Sequence, residues 1–347
     1  MVNQQTDLLL NLGAAHDWIG RSRSPRTGGS RAYFTPLRGW SRTYPEVTGS
    51  LIPTVLRAGD EELAQSFGEF LLEIQHADGA WTAGMWPTRN HALRNAMSTA
   101  QIVRGLCALY RHSGEGRWLD AAERAARWLV SASDSLTATY HTQVAWSLLD
   151  SWSITSEESQ RTAAIAILDR ALTRRTLIGA FSGWGSGGSD SAFTHTIGYT
   201  LSGFLECARL LDAWPRYGAP LVNALRRLAD DAITSDGRLP GAYDTDWRSD
   251  KRYSCLSGSA QIAICLLTAE SMKPHHRYPH AATVLIEEVS RHQKIDHPIP
   301  GVRGAVSGSY PIWGRYLRGR YPSWSAKYLC DAIAALRVSP TAALTMT

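Results

Sequence analysis

The chain has 347 residues and a formal net charge of +5, with 44% hydrophobic and 19% charged residues. That balance is too apolar for a disordered segment and too polar for a membrane protein. No run reaches the roughly 18 consecutive apolar residues of a transmembrane helix, and Leu8, Leu9 and Leu10 make too short a stretch for a signal peptide, so a soluble cytoplasmic protein is expected.

In chain order, an amphipathic helix is predicted over 7–19. A loop over 20–43 follows, crowded with Arg21, Arg23, Arg26, Arg31, Arg38 and Arg42. It leads into a helix near 44–57 (YPEVTGSLIPTVL) that is apolar or small on nearly every face, the pattern of a helix buried all round. The two types then alternate. Amphipathic helices, charged on one face, are predicted over 60–75, 118–131, 157–174, 219–233 and 280–292. Buried helices are predicted near 95–112, 140–152, 194–212, 254–271 and 321–337. STAQI and GSAQI, in the second and fifth buried helices, mark internal repetition.

Six buried helices alternating with six amphipathic ones, with almost no strand signal, predict an all-α (α/α)6 toroid: six helical hairpins closing into an inner and an outer ring. A single catalytic domain over 1–347 is expected. Connections from inner to outer helices are short. Those from outer to inner helices are long (20–43, 76–94, 175–193, 235–253 and 294–320), with 132–139 the exception. Long loops in a compact domain usually serve function. All of these open at the N-terminal ends of the inner helices, whose backbone N–H groups favour anions and polarised oxygens. The site is therefore expected at that mouth.

The substrate-binding residues expected there are Tyr44, Trp81, Trp86, Arg89, His91, Asn95, Gln143, Trp184, Asp190, Tyr243, Trp247, Trp313, Trp324 and Lys327. Aromatic faces beside carboxylates, amides and guanidinium groups suit a sugar, whose ring faces stack on indole while its hydroxyls need polar partners. Any one of these aromatics would serve equally well to seal a loop-rich surface; their collection on one face points to recognition.

The catalytic candidates are Glu46, His141, His195, Tyr199, Asp244 and Asp246. Glu46 follows Pro45 in a first helical turn, where it could equally cap the helix. His141 and His195 hold equivalent positions in neighbouring repeats, as acid/base groups at the open end of a cavity. Asp78 and Asp236, each followed by Gly, read as turn formers. The five cysteines (Cys107, Cys207, Cys255, Cys265, Cys330) are scattered with no ligand spacing, so buried thiols are expected, with no metal and no cofactor.

Four of the 36 basic residues are lysine, and a second arginine cluster, Arg303, Arg315, Arg318 and Arg320, lies in 294–320. In a closed ring this loop adjoins 20–43, making a basic rim for an anionic ligand such as a uronate or a sugar phosphate. The basic residues do not line one helix and the net charge is modest, so nucleic acid is not expected as a partner. The sequence leaves the oligomeric state open.

On YPEVTGSLIPTVL, QHADGAW, SCLSGSAQIAICLL and GSYPIWGRYLRGRYPSWSAKYLCDAI, which span most of 44–337, the chain resembles the six-hairpin glycosidase-like superfamily of hydrolases, polysaccharide lyases and sugar epimerases. Within it, the chain is similar to bacterial exopolysaccharide- and capsule-cluster proteins loosely related to the C-terminal regions of glucuronyl C5-epimerases. The resemblance implies a carbohydrate-active enzyme acting on an acidic bacterial glycan or its precursor. The Asp dyad of unsaturated glucuronyl hydrolases is not recognisable here.

Glycoside hydrolysis is the leading expectation, with Glu46 and Asp244 or Asp246 flanking the scissile bond. A uronate epimerase or lyase would use His141, His195 and Tyr199, with arginine holding the carboxylate. An isoprenoid cyclase or prenyltransferase toroid would need an apolar cavity with an acidic motif, which residues 244–247 match only in part. A non-catalytic glycan-binding module would tolerate changes at Glu46, Asp244 and His195.

Overall fold

The alternation of segment types becomes an alternation of rings in the computed structural model, which describes residues 2–88 and 93–339, with side chains from Asp7 onward. The outer helices are α1 (Val2–Ser22), α3 (Glu61–Glu73), α5 (Gly116–Ala132), α7 (Glu158–Leu172), α9 (Val222–Thr234) and α11 (Arg277–Arg291). The inner helices are α2 (Pro45–Arg57), α4 (Ala96–Ser113), α6 (Thr142–Thr155), α8 (Thr194–Leu210), α10 (Leu256–Met272) and α12 (Ser323–Val338). Each inner helix packs on the next, and α12 returns to α2. The fold is the expected (α/α)6 toroid.

Helix α5 shows why the outer helices form. Trp118, Ala121, Ala122, Ala125, Ala126 and Leu129, at i, i+3, i+4 spacing, are buried, while Asp120, Arg124 and Arg127 face solvent. Inner helices bury residues on nearly every face, and small residues set how closely they cross. A Cβ on Gly49 would stand 2.6 Å from Ile102 Cα, and one on Gly105 would collide with the Gly49 carbonyl oxygen. Side chains there would force α2 and α4 apart.

The long loops carry short strands that the sequence reading did not predict. They are β1 (Tyr33–Thr35), β2 (Gly39–Trp40), β3 (Ala192–Phe193), β4 (Ala242–Tyr243), β5 (Ser254–Cys255), β6 (Ser309–Tyr310) and β7 (Tyr321–Pro322). Two or three residues are too few to display a period-two pattern. The strands staple loops together at the N-terminal mouth. β1 pairs antiparallel with β2 and β7, joining the first loop to the last where the ring closes. β3 pairs with β4, and β5 with β6. Trp18 Nε1 adds a bond to the Gly301 carbonyl, 2.9 Å away.

All five cysteines are buried and unpaired. Among the described residues, no helix is long and apolar enough to cross a membrane.

Candidate active site

A cavity of about 730 Å³ opens at the N-terminal mouth. The first turns of α2, α4, α8 and α12 and the loop before α12 line it. Glu46 is its one lining carboxylate among the described residues. It sits in the first turn of α2, which Pro45 starts with a preset φ. Its side chain does not cap the helix. Instead Glu46 Oε2 accepts hydrogen bonds from Tyr44 Oη and Ser98 Oγ, both at 3.0 Å. Burial raises the Glu46 carboxyl above its ordinary value, and those two donors pull it partly back. Tyr44 is in turn pushed well up, by the charge of Glu46 first and burial second.

His195 stands across the same cavity. Its position is set by the β3–β4 pair and by Thr194 N donating to the Gly241 carbonyl at 3.1 Å, which start α8 at Thr194. A close crossing then brings α10 against it: a Cβ on Gly258 would lie 2.5 Å from His195 N. The imidazole is buried, 8% exposed, inside a cage of rings. Tyr199, Tyr316, Tyr328 and Trp324 have centroids 4.5, 5.2, 5.9 and 6.5 Å from it. Ser257 Oγ is 3.4 Å from Nδ1. Burial lowers the His195 pKa to about 3, with a hydrogen bond to Gln261 opposing and Lys327 adding to the shift. The ring is neutral at physiological pH. Tyr199 hydrogen-bonds Tyr328 and is pushed well above its ordinary value by burial, then by its neighbours Tyr328 and Glu46.

The loop before α12 closes one side of the cavity. It is held by the β5–β6 pair, by Ser309 Oγ donating to the Tyr316 carbonyl at 2.6 Å, and by Trp324 Nε1 donating to Tyr316 Oη at 2.9 Å. It brings Arg315, Arg318 and Arg320 to the cavity wall. Arg315 pairs with Asp250 at 3.6 Å, and Arg320 lies over the Tyr33 ring at 4.6 Å. Arg318 is exposed and has no ion-pair partner among the described residues. The basic rim is thus narrower than the sequence reading expected. The two loops do adjoin, but three arginines of the first cluster are engaged with backbone: Arg21 donates to the Arg303 carbonyl, Arg31 to the carbonyls of residues 21, 22 and 23, and Arg42 to the Pro87 carbonyl.

Of the residues singled out from sequence, the cavity therefore gathers Tyr44, Glu46, Asn95, His195, Tyr199 and Trp324. Asn95 both lines it and caps α4, accepting from Ser98 N at 2.8 Å. The other aromatics went elsewhere. Trp81, Trp184, Tyr243 and Trp247 lie in the hydrophobic core, their polar atoms bonded to the Leu71 carbonyl, the Asp190 carbonyl, Asp231 and the Ile178 carbonyl. Trp86 is half-buried against the core, and Trp313 is exposed, outside the cavity lining. Asp190 accepts from Gly183 N at 2.7 Å and shapes the glycine-rich turn.

Asp244 and Asp246 are not at the cavity. Asp244 Oδ1 accepts from the backbone N–H of Asp246 and Arg248, a turn-forming arrangement, and Asp246 pairs with Arg248 at 3.3 Å. His141 differs from His195 despite the repeat equivalence. It lies in a 3-10 turn before α6, where Nδ1 accepts from Ala138 N at 3.2 Å, and burial first, then Arg170, lowers its pKa to about 4. Gln143 and Lys327 point below the cavity floor. Arg89 and His91 lie outside the described residues. Tyr328 and Ser257, both against His195, were not singled out; Tyr328 is four residues past Trp324, the spacing that shares a helix face.

Among the described residues, no cluster of three or more His, Cys, Asp or Glu could hold a metal. No family model matches the chain, and no curated protein matches it in sequence. Solved structures do match in fold. An unsaturated glucuronyl hydrolase specific for heparin superposes with a TM-score of 0.73 at 13% identity, covering 95% of this chain and 96% of its own. Cellobiose 2-epimerase from Bacillus thermoamylovorans superposes with a TM-score of 0.76 at 10% identity, covering 96% and 100%. The unsaturated glucuronyl hydrolase of a Bacillus species, responsible for degradation of glycosaminoglycan, gives 0.72 at 14%, covering 96% and 97%. At such identities the likeness is one of fold: this chain is built on the same α/α toroid, over nearly its whole length, as these sugar-processing enzymes.

Proposed function

We propose that this protein is a glycoside hydrolase acting on an acidic sugar of a bacterial glycan or its precursor, with Glu46 as general acid and His195 as the base that activates water. The observation that carries the reading is one shared cavity in which burial moves Glu46 toward its protonated form and keeps His195 neutral. Titratable groups of one cavity whose surroundings shift them in opposite directions are a mark of acid and base roles. Glu46 gives its proton to the leaving glycosidic oxygen while the imidazole takes a proton from the water attacking the anomeric carbon. The carboxylate left behind then favours the imidazolium, offsetting the burial that makes the resting imidazole a weak base. Passing that proton back to Glu46 restores both groups.

Trp324 and Tyr44 offer ring faces to a pyranose, Asn95 and Gln101 offer amides, and Arg318 offers a free guanidinium for a carboxylate. The glucuronyl specificity of two of the matching structures agrees with that guanidinium. Five unpaired buried thiols suit a cytoplasmic setting. A second reading, epimerisation, draws on the caged His195, its Tyr199 and Tyr328 neighbours and the match to cellobiose 2-epimerase.

The test is incubation of purified protein with unsaturated glucuronyl disaccharides, saturated glucuronides and cellobiose in deuterated buffer, with products read by NMR. New reducing ends support hydrolysis. Inverted centres carrying deuterium, without bond cleavage, would replace it with epimerisation. No change in any substrate would sink both.

A further inference from the structure

We infer that a second cavity, on the C-terminal side of the inner ring, binds a small organic carboxylate on the guanidinium of Arg104. This site lies beyond the mouth described above and does not depend on the reaction proposed there. The cavity measures about 340 Å³, within the size range of small-molecule sites. Trp146, Ile264, Ala334 and Ala335 give it apolar walls, while Arg57, Arg104 and Lys327 bring cations against the carboxylates Glu206 and Asp331.

Of the three cations there, Arg104 is the one without a carboxylate in contact among the described residues. Asp331 serves two cations at once, Lys327 Nζ at 2.6 Å and Arg57 Nη1 at 2.7 Å. Glu206 is engaged by Arg209 at 2.9 Å. Arg104 is buried, 9% exposed, and no carboxylate lies within ion-pair distance of it among the described residues. Its partners are neutral: Gln143 Oε1 accepts from Nη1 at 2.9 Å, and the Trp146 ring lies under the guanidinium at 3.5 Å. Of the guanidinium's N–H donors, no other has a protein acceptor among the described residues.

Asp150 and Glu206 favour the Arg104 charge from beyond ion-pair distance, but burial outweighs them, a desolvation cost that an anion in contact with the guanidinium would relieve. A guanidinium whose face is covered by indole presents its edge, the geometry that takes a planar carboxylate with two parallel hydrogen bonds. The apolar walls suit the organic remainder of such a ligand better than a bare inorganic ion. The cavity also touches the site above. Gln261, Lys327 and Tyr328 wall it and bear on His195, so a bound carboxylate would make that imidazole more basic.

Titration calorimetry at constant ionic strength tests the inference, with butyrate, benzoate and inorganic phosphate as probes. Wild-type protein should bind a carboxylate probe more tightly than phosphate. Arg104→Met, which keeps the stack on Trp146, should weaken it at least about tenfold, the loss of a charged hydrogen bond. Arg127→Met, on the exposed face of α5 and in the lining of neither cavity, should leave it unchanged. Should Arg104→Met lose its circular dichroism, Arg104→Lys carries the test, with weaker binding expected from a charge without the fork. Absence of heat with every probe, preference for phosphate, or equal affinity in the Arg104 variants would overturn the proposal.

Discussion

Replacing Glu46 by Gln probes the proposed chemistry most directly. The two side chains are nearly equal in volume, and the amide oxygen can still accept from Tyr44 Oη and Ser98 Oγ. The substitution therefore leaves the cavity's shape in place and removes only a transferable proton. General-acid catalysis contributes about 10²- to 10⁴-fold, or about 3–5 kcal/mol of barrier, and turnover should fall by that factor.

Glu46 also sets a pH dependence. Its pKa is raised by burial, so the active protonated form is lost, and with it wild-type turnover, as pH rises through that value. Ser98→Ala removes a bond that favours the anion, so the alkaline limb should move to higher pH while the plateau remains. The same shift governs stability. A carboxyl with a raised folded-state pKa contributes stability that is fully present below its unfolded-state value and lost as pH climbs through the raised one. Glu46→Gln should therefore be at least as stable as wild type in alkaline thermal melts. The assay is the decay of an unsaturated glucuronyl disaccharide's ultraviolet absorbance, with melts as the control for folding. Turnover within about threefold of wild type in a folded Glu46→Gln protein would refute the general-acid role.

His195→Gln should likewise cost about 10²-fold or more in turnover, and the wild-type His195 resonance should show no titration until the pH approaches its lowered value of about 3. The double variant Asp244→Asn, Asp246→Asn should keep turnover near wild type and shift the denaturation midpoint by under about 1 kcal/mol, since these carboxylates serve a surface turn and exposed pairs. Asp331→Ala should destabilise the fold by about 3–5 kcal/mol in urea titrations, because it strands the buried Lys327 ammonium. Burial raises Asp331, but Lys327 and Arg57 hold it below its ordinary 3.8. Its contribution is thus present above 3.8 and lost as pH falls through the lowered value, a loss the variant should not show.

The fold was legible because its signal is repeated. A buried helix such as 254–271 differs from an amphipathic one such as 280–292 on every turn, and six alternations leave few ways to bury all the apolar faces. The loop-bearing mouth was legible for a similar reason: most of the long loops fall on one side of the hairpins. Individual residues were harder. Trp81, Trp184 and Trp247 have the composition of a sugar-binding rim, yet indole is amphipathic, and inside the core each N–H finds a backbone carbonyl. Asp244 and Asp246 looked catalytic by residue type, and the hydrogen bonds that make them turn residues are invisible without coordinates.

The amino-acid order alone determined the helices, their alternation and the side of the ring where the loops gather, because each follows from local periodicity and chain length. It also placed Glu46 in a first turn and His195 in another. Which of the two equivalent histidines meets a cavity, which arginines remain available for a ligand, and that Arg104 is buried without a carboxylate in contact were decided by tertiary structure. Those properties depend on what five other helices bring to the same point, and solvent exclusion and charge balance are set by neighbours distant in the chain.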